Sequence, residues 1–168
     1  MLNIAFHPDS DLQEFDNAIK EYERIWEEEG ERIVRVWQEK TGLRFQETVI
    51  NATVFDGKSH SHPLSLRFNI PSERKKSVLV HELGHRLLYD RGKELPKDTL
   101  ENHKRLYLVL YDVLVALYGK QSADAAVAWD RELASKYPGN EHYVSAWDYA
   151  LQLKPEERKF EFEKIIRR

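Results

Sequence analysis

The sequence predicts an α+β fold: a short antiparallel or mixed sheet, a long N-terminal helix, a buried helix carrying two histidines, and a helical C-terminal part. Three observations lead there. Apolar and polar residues alternate over Leu2–Phe6 and Leu64–Phe68, and Phe45–Phe55 is rich in Thr, Val, Ile and Phe, all strand patterning. Apolar residues recur at three- and four-residue intervals from Leu12 to Trp37 and along much of the second half, which is helix patterning. The 168 residues, 41% hydrophobic and 33% charged, suffice for one substantial core. Residues 1–168 therefore read as a single domain, with a core over 43–119 and a helical part over 120–168.

Charge and composition narrow the function classes. A net charge of -3 gives no electrostatic reason to expect nucleic acid as a partner. The absence of cysteine excludes disulfides, thiolate metal ligands and a cysteine nucleophile, so any metal must be held by His, Asp or Glu. Residues Met1 to Pro8 lack the basic-then-apolar pattern of a secretory signal, and the longest apolar run, Leu106 to Tyr118, is interrupted by Asp112 and too short to span a bilayer. A cytoplasmic protein without membrane partners is the expectation.

In chain order, Leu2, Ile4 and Phe6 form a first strand that Pro8 ends, and Asp9, Ser10 or Asp11 can cap the following helix. That helix runs from Asp11 to Lys40, with Gly30 marking either a close contact or a break, and Gly42 is a candidate C-cap. Strands Phe45–Phe55 and Leu64–Asn69 are expected to pair as a hairpin through the turn Asp56-Gly57 and a polar stretch. His60 and His62 in that stretch read as ordinary exposed loop histidines. Ser72 can cap the next helix, which should run to about Arg91 and stop at Gly92. Further helices are expected over Thr99–Tyr118 (ended by Gly119), Ala123–Lys136, Asn140–Leu153 and from Pro155 onward, where Phe160, Phe162 and Ile165 can dock.

The chemistry is concentrated in the helix after Ser72. Residues 81–85 read His-Glu-Leu-Gly-His within the apolar positions Val78, Leu79, Val80, Leu83, Leu87 and Leu88. Histidines four apart lie one turn above each other and can take adjacent corners of a tetrahedral zinc site. Glu82, about 100° round the helix from His81, can reach a water on the metal without ligating it. The ordinary alternative is a buried helix whose histidines are satisfied by hydrogen bonds. Burying two His and a Glu is costly unless they are paired or metallated.

A catalytic zinc needs a third protein ligand and an open position. Asp90, Glu94, Asp98, Glu101, His103 and Asp112 follow in sequence, and the helix from Thr99 is the natural source. Taken at about 100° per residue, His103 lies within roughly 40° of Tyr107, Leu110, Leu114 and Leu117, on the apolar stripe. Glu101 and Asp112 fall about 160–180° away. Phase favours His103, with Glu101 and Asp112 as alternatives. Asp112 can also orient a ligating histidine, or form a salt bridge to Arg86 or Arg131. Tyr107, His142 and Tyr143 are candidates for stabilising an oxyanion.

His81, Glu82 and His85 resemble the active-site helix of zincin metallopeptidases. The resemblance implies two zinc ligands, His81 and His85, and a general base and acid, Glu82, acting on a peptide or protein substrate. It also implies that Leu64–Asn69 serves as the edge strand on which an extended substrate adds by main-chain hydrogen bonds. Leu88 and Arg91 stand where metzincins carry their Gly and third His, and peptide deformylases need a cysteine ligand, so neither group fits. Small gluzincin-like proteases would use Glu101; SprT-like proteases, with a third His on the following helix, suit His103. The same motif in a latent or non-catalytic zinc-binding regulatory protein is the alternative.

Overall fold

The computed structural model describes residues 2–89 and 99–167. The expected helix end near Arg91, the Gly92 stop and the candidates Asp90, Glu94 and Asp98 lie outside the described residues. The chain forms two compact units, Met1–Arg91 and Gly92–Arg168. The α+β class is borne out by three strands and five helices among the described residues. No described helix is long and apolar enough to cross a membrane.

The N-terminal unit begins with β1 (Asn3–Pro8), α1 (Gln13–Thr41) and β2 (Val49–Phe55). β1 and β2 are parallel neighbours, with Ile4 opposite Ile50 and Phe6 opposite Ala52. The long helix is therefore the crossover of a β-α-β unit. Leu12, rather than Asp9, Ser10 or Asp11, sits at the N-cap of α1, and its backbone N–H donates to Ser10 Oγ at 3.4 Å. Gly42 ends α1 as expected, at φ 70°, its N–H donating to Gln38 O at 2.8 Å. Gly30 does not break the helix: a Cβ there would lie 2.8 Å from the Trp26 ring, so glycine makes room for that indole.

β3 (Leu64–Arg67) pairs with β2, and it too is parallel, so the expected hairpin and the antiparallel or mixed sheet are corrected. The polar stretch holds two reversals instead of one. After Asp56-Gly57 the chain runs back, and His60 bridges Ser65 in antiparallel fashion, with N–H···O distances of 3.0 and 2.8 Å. A second turn over residues 61–63 then restores the original direction before Leu64. One sheet face carries Ile4, Phe6, Ile50, Ala52, Val54, Leu64 and Leu66, all buried. They form the core with Tyr22, Ile25, Ile33 and Trp37 of α1 and Leu79 and Leu83 of α2 (Ser72–Tyr89).

In the C-terminal unit, α3 (Thr99–Lys136) joins the two expected helices across a single non-helical residue, Gly119, at φ 82° and ψ 167°. Only glycine populates that region comfortably. A Cβ at Gly119 would meet nothing within 4 Å, so any cost of adding one is in the backbone alone. Gly119→Ala is expected to lose about 1–3 kcal/mol of stability in chemical denaturation. Unchanged stability would show that the break is not held in this conformation.

α4 (Glu141–Leu151) and α5 (Pro155–Arg167) pack on α3. Phe162 is buried on α5, but Phe160 is 59% exposed and carries Lys164 Nζ 4.2 Å from its ring centre, so Phe160 does not dock as expected. Asp130 ties the unit together. It accepts from Tyr107 Oη at 3.0 Å and from Trp147 Nε1 at 2.9 Å, and those two rings stack at 3.8 Å.

Candidate metal centre

His81, Glu82 and His85 lie in the middle of α2, whose apolar residues Leu79, Val80, Leu83 and Leu87 are fully buried. The ring centres of His81 and His85 are 4.8 Å apart. Two imidazoles on adjacent tetrahedral corners, at metal–nitrogen bonds of about 2.0–2.1 Å, hold their ring centres about 5 Å apart. His85 is 6% exposed, Glu82 is 7% exposed and His81 is half-buried.

The side chains around α2 set the orientation of that helix. Lys75, two turns before Glu82, is buried and bonds Glu21 of α1. Tyr22 is fully buried and its hydroxyl donates to Arg67 O at 2.9 Å. Burial, helped by the Glu21 and Glu82 charges, pushes that hydroxyl far above the usual tyrosine range. It stays a donor at every working pH. One turn beyond Glu82, Arg86 forks onto Glu47 and donates to Ser61 O at 2.6 Å, pinning the turn before β3 to the histidine helix. His62 packs on Tyr89 at 4.2 Å, and His60 Nδ1 lies 2.8 Å from Pro63 O, so both loop histidines serve the turn.

The edge of β3 is not open in the way the zincin resemblance implies. Ser65 N–H and C=O are both bonded to His60, Arg67 N–H donates to Ser59 Oγ at 2.9 Å, and Arg67 C=O accepts from Tyr22. Main-chain groups that could receive an added strand along Ser65–Arg67 are already paired by the chain itself.

In the C-terminal unit, helical phase separates the third-ligand candidates as expected. His103 is 7% exposed, and Tyr107, Leu110, Leu114 and Leu117 of the same stripe are buried with it. Its Nδ1 lies 2.8 Å from Thr99 O. A carbonyl can only accept, so Nδ1 carries a proton, and in the neutral ring Nε2 is then the nitrogen that a metal would take. Glu101 instead is exposed and pairs with Lys104 at 2.7 Å.

Asp112 has a different partner from those expected. Arg158 of α5, its side chain 5% exposed, reaches both Asp112 oxygens at 2.7 and 3.0 Å and also donates to Leu153 O at 2.7 Å. Arg86 is held by Glu47 and Arg131 by Asp148. The missed signal was Arg158 itself, four residues before the buried Phe162 and so on its face of α5.

Among the oxyanion candidates, Tyr107 has committed its hydroxyl to Asp130. His142 and Tyr143, in the first turn of α4, stand beside His103, with ring centres 4.9 and 4.8 Å away. No protein-family model, curated protein or solved structure matches this chain.

Proposed function

We propose that the chain is a zinc-dependent peptidase of the zincin kind, with His81, His85 and His103 as zinc ligands and Glu82 as general base. The observation that carries the reading is the His81–His85 ring spacing of 4.8 Å on one helix, with Glu82 between them. The donor chemistry suits zinc: neutral imidazoles, no thiolate, and at His103 an Nδ1–H tied to a carbonyl so that Nε2 is the donor.

Bound zinc supplies Lewis acidity, polarising a scissile carbonyl and making water acidic near neutral pH. The chain's own residues do the rest. Glu82 takes the proton from the attacking water and passes it to the leaving amine. Its burial keeps bulk water from competing for that proton. Lys75 ties the helix that carries Glu82 to α1, through Glu21 and over the Tyr22 ring, while the Tyr22 hydroxyl ties α1 to Arg67 of β3. The substrate is a peptide or unfolded protein, and the setting is cytoplasmic.

A second reading, a latent or non-catalytic zinc-binding regulatory protein, is favoured by the self-paired edge of β3. Both readings share the metal. Protein purified without an affinity tag is expected to carry about one zinc per chain, and His81→Ala, His85→Ala and His103→Ala should each lose most of it. Glu101→Ala should keep it. Zinc unchanged in the His81 and His85 variants would remove the site; loss in Glu101→Ala but not His103→Ala would move the third ligand.

A further inference from the structure

Helix α5 carries aromatic side chains on two faces, and the body of the C-terminal unit covers only one of them. Phe162 is buried together with Arg158 on the docked side. Phe160 stands about 160° round the helix from both and is 59% exposed. With Leu153, two residues ahead of the helix, it lines a shallow groove of about 310 Å³ whose other walls are Glu156, Glu157 and Glu161. No basic side chain lines this groove, although Lys154 and Lys159 are exposed beside it. A single exposed aromatic is ordinary. An apolar pair bordered by three carboxylates on one small surface is a chemical pattern.

The chain itself shows what that pattern holds. Lys164 Nζ lies 4.2 Å from the centre of the Phe160 ring and 2.7 Å from Glu161 Oε1, so an ammonium already rests between ring and carboxylate. Glu157 Oε2 accepts from Lys154 N–H at 2.7 Å, which fixes the direction of that carboxylate. Among the described residues, neither Glu156 nor Glu157 has a cation paired with it. The groove therefore offers apolar contact in the middle and uncompensated negative charge at one end. A second copy of the chain fits it poorly. Five side chains fall well short of the roughly 20–30 residues a side of a stable interface, and a copy would bring the same three carboxylates.

We propose that this face of α5 docks a basic amphipathic segment of another protein. An apolar side chain of the partner lies on Phe160 and Leu153, and its lysines or arginines meet Glu156 and Glu157, the mode in which a helix lays its apolar stripe on a complementary surface. The surface belongs to the C-terminal unit alone and does not depend on the metal centre.

The probe is a labelled synthetic peptide of lysine and leucine, with leucines at three- and four-residue intervals. Its binding to the full chain is followed by fluorescence anisotropy. Binding is expected, and it should weaken as salt rises from about 0.05 to 0.5 M. Phe160→Ala and Glu156→Lys should each weaken it by at least about 5-fold, the mark of a contact that carries binding energy. Glu28→Lys, in the acidic run of α1, changes the net charge equally and should leave binding unchanged. Thermal melting followed by circular dichroism checks folding, and Phe160→Gln replaces Phe160→Ala should the latter not fold. No binding to the parent chain overturns the proposal. So does equal loss in Glu28→Lys, which would make the attraction one of net charge. Equal binding of a lysine-only peptide, or full binding to a folded Phe160 variant, overturns the apolar anchor and the proposal with it. A dimer of the parent in sedimentation that Phe160→Ala dissolves gives the groove to a second copy instead.

Discussion

Glu82→Gln is expected to slow hydrolysis of an unfolded protein substrate by about 100- to 10,000-fold, the usual contribution of a positioned general base. Zinc content should not change, because the proposed ligands on this helix are His81 and His85, and Glu82 is not one of them. Glutamine nearly matches the shape of glutamate but cannot accept the proton. It removes the proposed base and keeps the volume of the side chain. Glu82 is 7% exposed, so bulk water is poorly placed to substitute for it. The pairing of the two measurements is what decides. Activity lost with zinc retained assigns the base; activity and zinc lost together would make Glu82 structural; activity retained would end the peptidase reading.

Asp112→Ala is expected to destabilise the protein by about 3 kcal/mol, the low end of the range for breaking a buried ion pair, because the Arg158 side chain is buried while that of Asp112 is 25% exposed. Arg158, whose side chain is 5% exposed in the intact pair, is left without its carboxylate. The bond to Leu153 O remains, but a neutral carbonyl does not balance the charge. Arg158→Met in the Asp112→Ala background should recover part of the loss, since an apolar chain of similar length no longer needs a counter-ion. Denaturant melts of the single and double variants measure this. A loss below about 1 kcal/mol would class the pair with ordinary surface bridges. Zinc binding should survive in Asp112→Ala, which separates this structural role from the ligand role open on the sequence alone.

Helix existence was legible wherever a long stripe ran unbroken. The stripe through His103, Tyr107, Leu110, Leu114 and Leu117 placed the histidine on the buried side because a consistent phase over fifteen residues averages out local error. Strand direction was not legible in the same way. Alternation reads identically in either direction, and whether β3 is parallel depends on the number of turns packed into residues 56–63. Strand–helix–strand order over β1, α1 and β2 did carry the signal for parallel pairing. It was outweighed by the short connection before β3, which suggested a hairpin. Ion pairs were the least legible. Asp112 and Arg158 are 46 residues apart, and only the packing of α5 on α3 selects one arginine from several.

The self-pairing of β3 also bears on how the protein keeps from sticking to copies of itself. A sheet of three strands has two flanks, and an unpaired flank is a template on which another chain can grow a strand. Ser59, His60 and Tyr22 use up the main-chain groups on one flank, at Ser65 and Arg67. The other flank is β1, six residues long and ending in Pro8, a residue with no N–H to offer. Loosening the 56–63 turn, for example by removing Arg86's hold on Glu47 and Ser61, would uncover the longer-lived hazard: a buried, apolar strand edge whose exposure favours aggregation over unfolding alone.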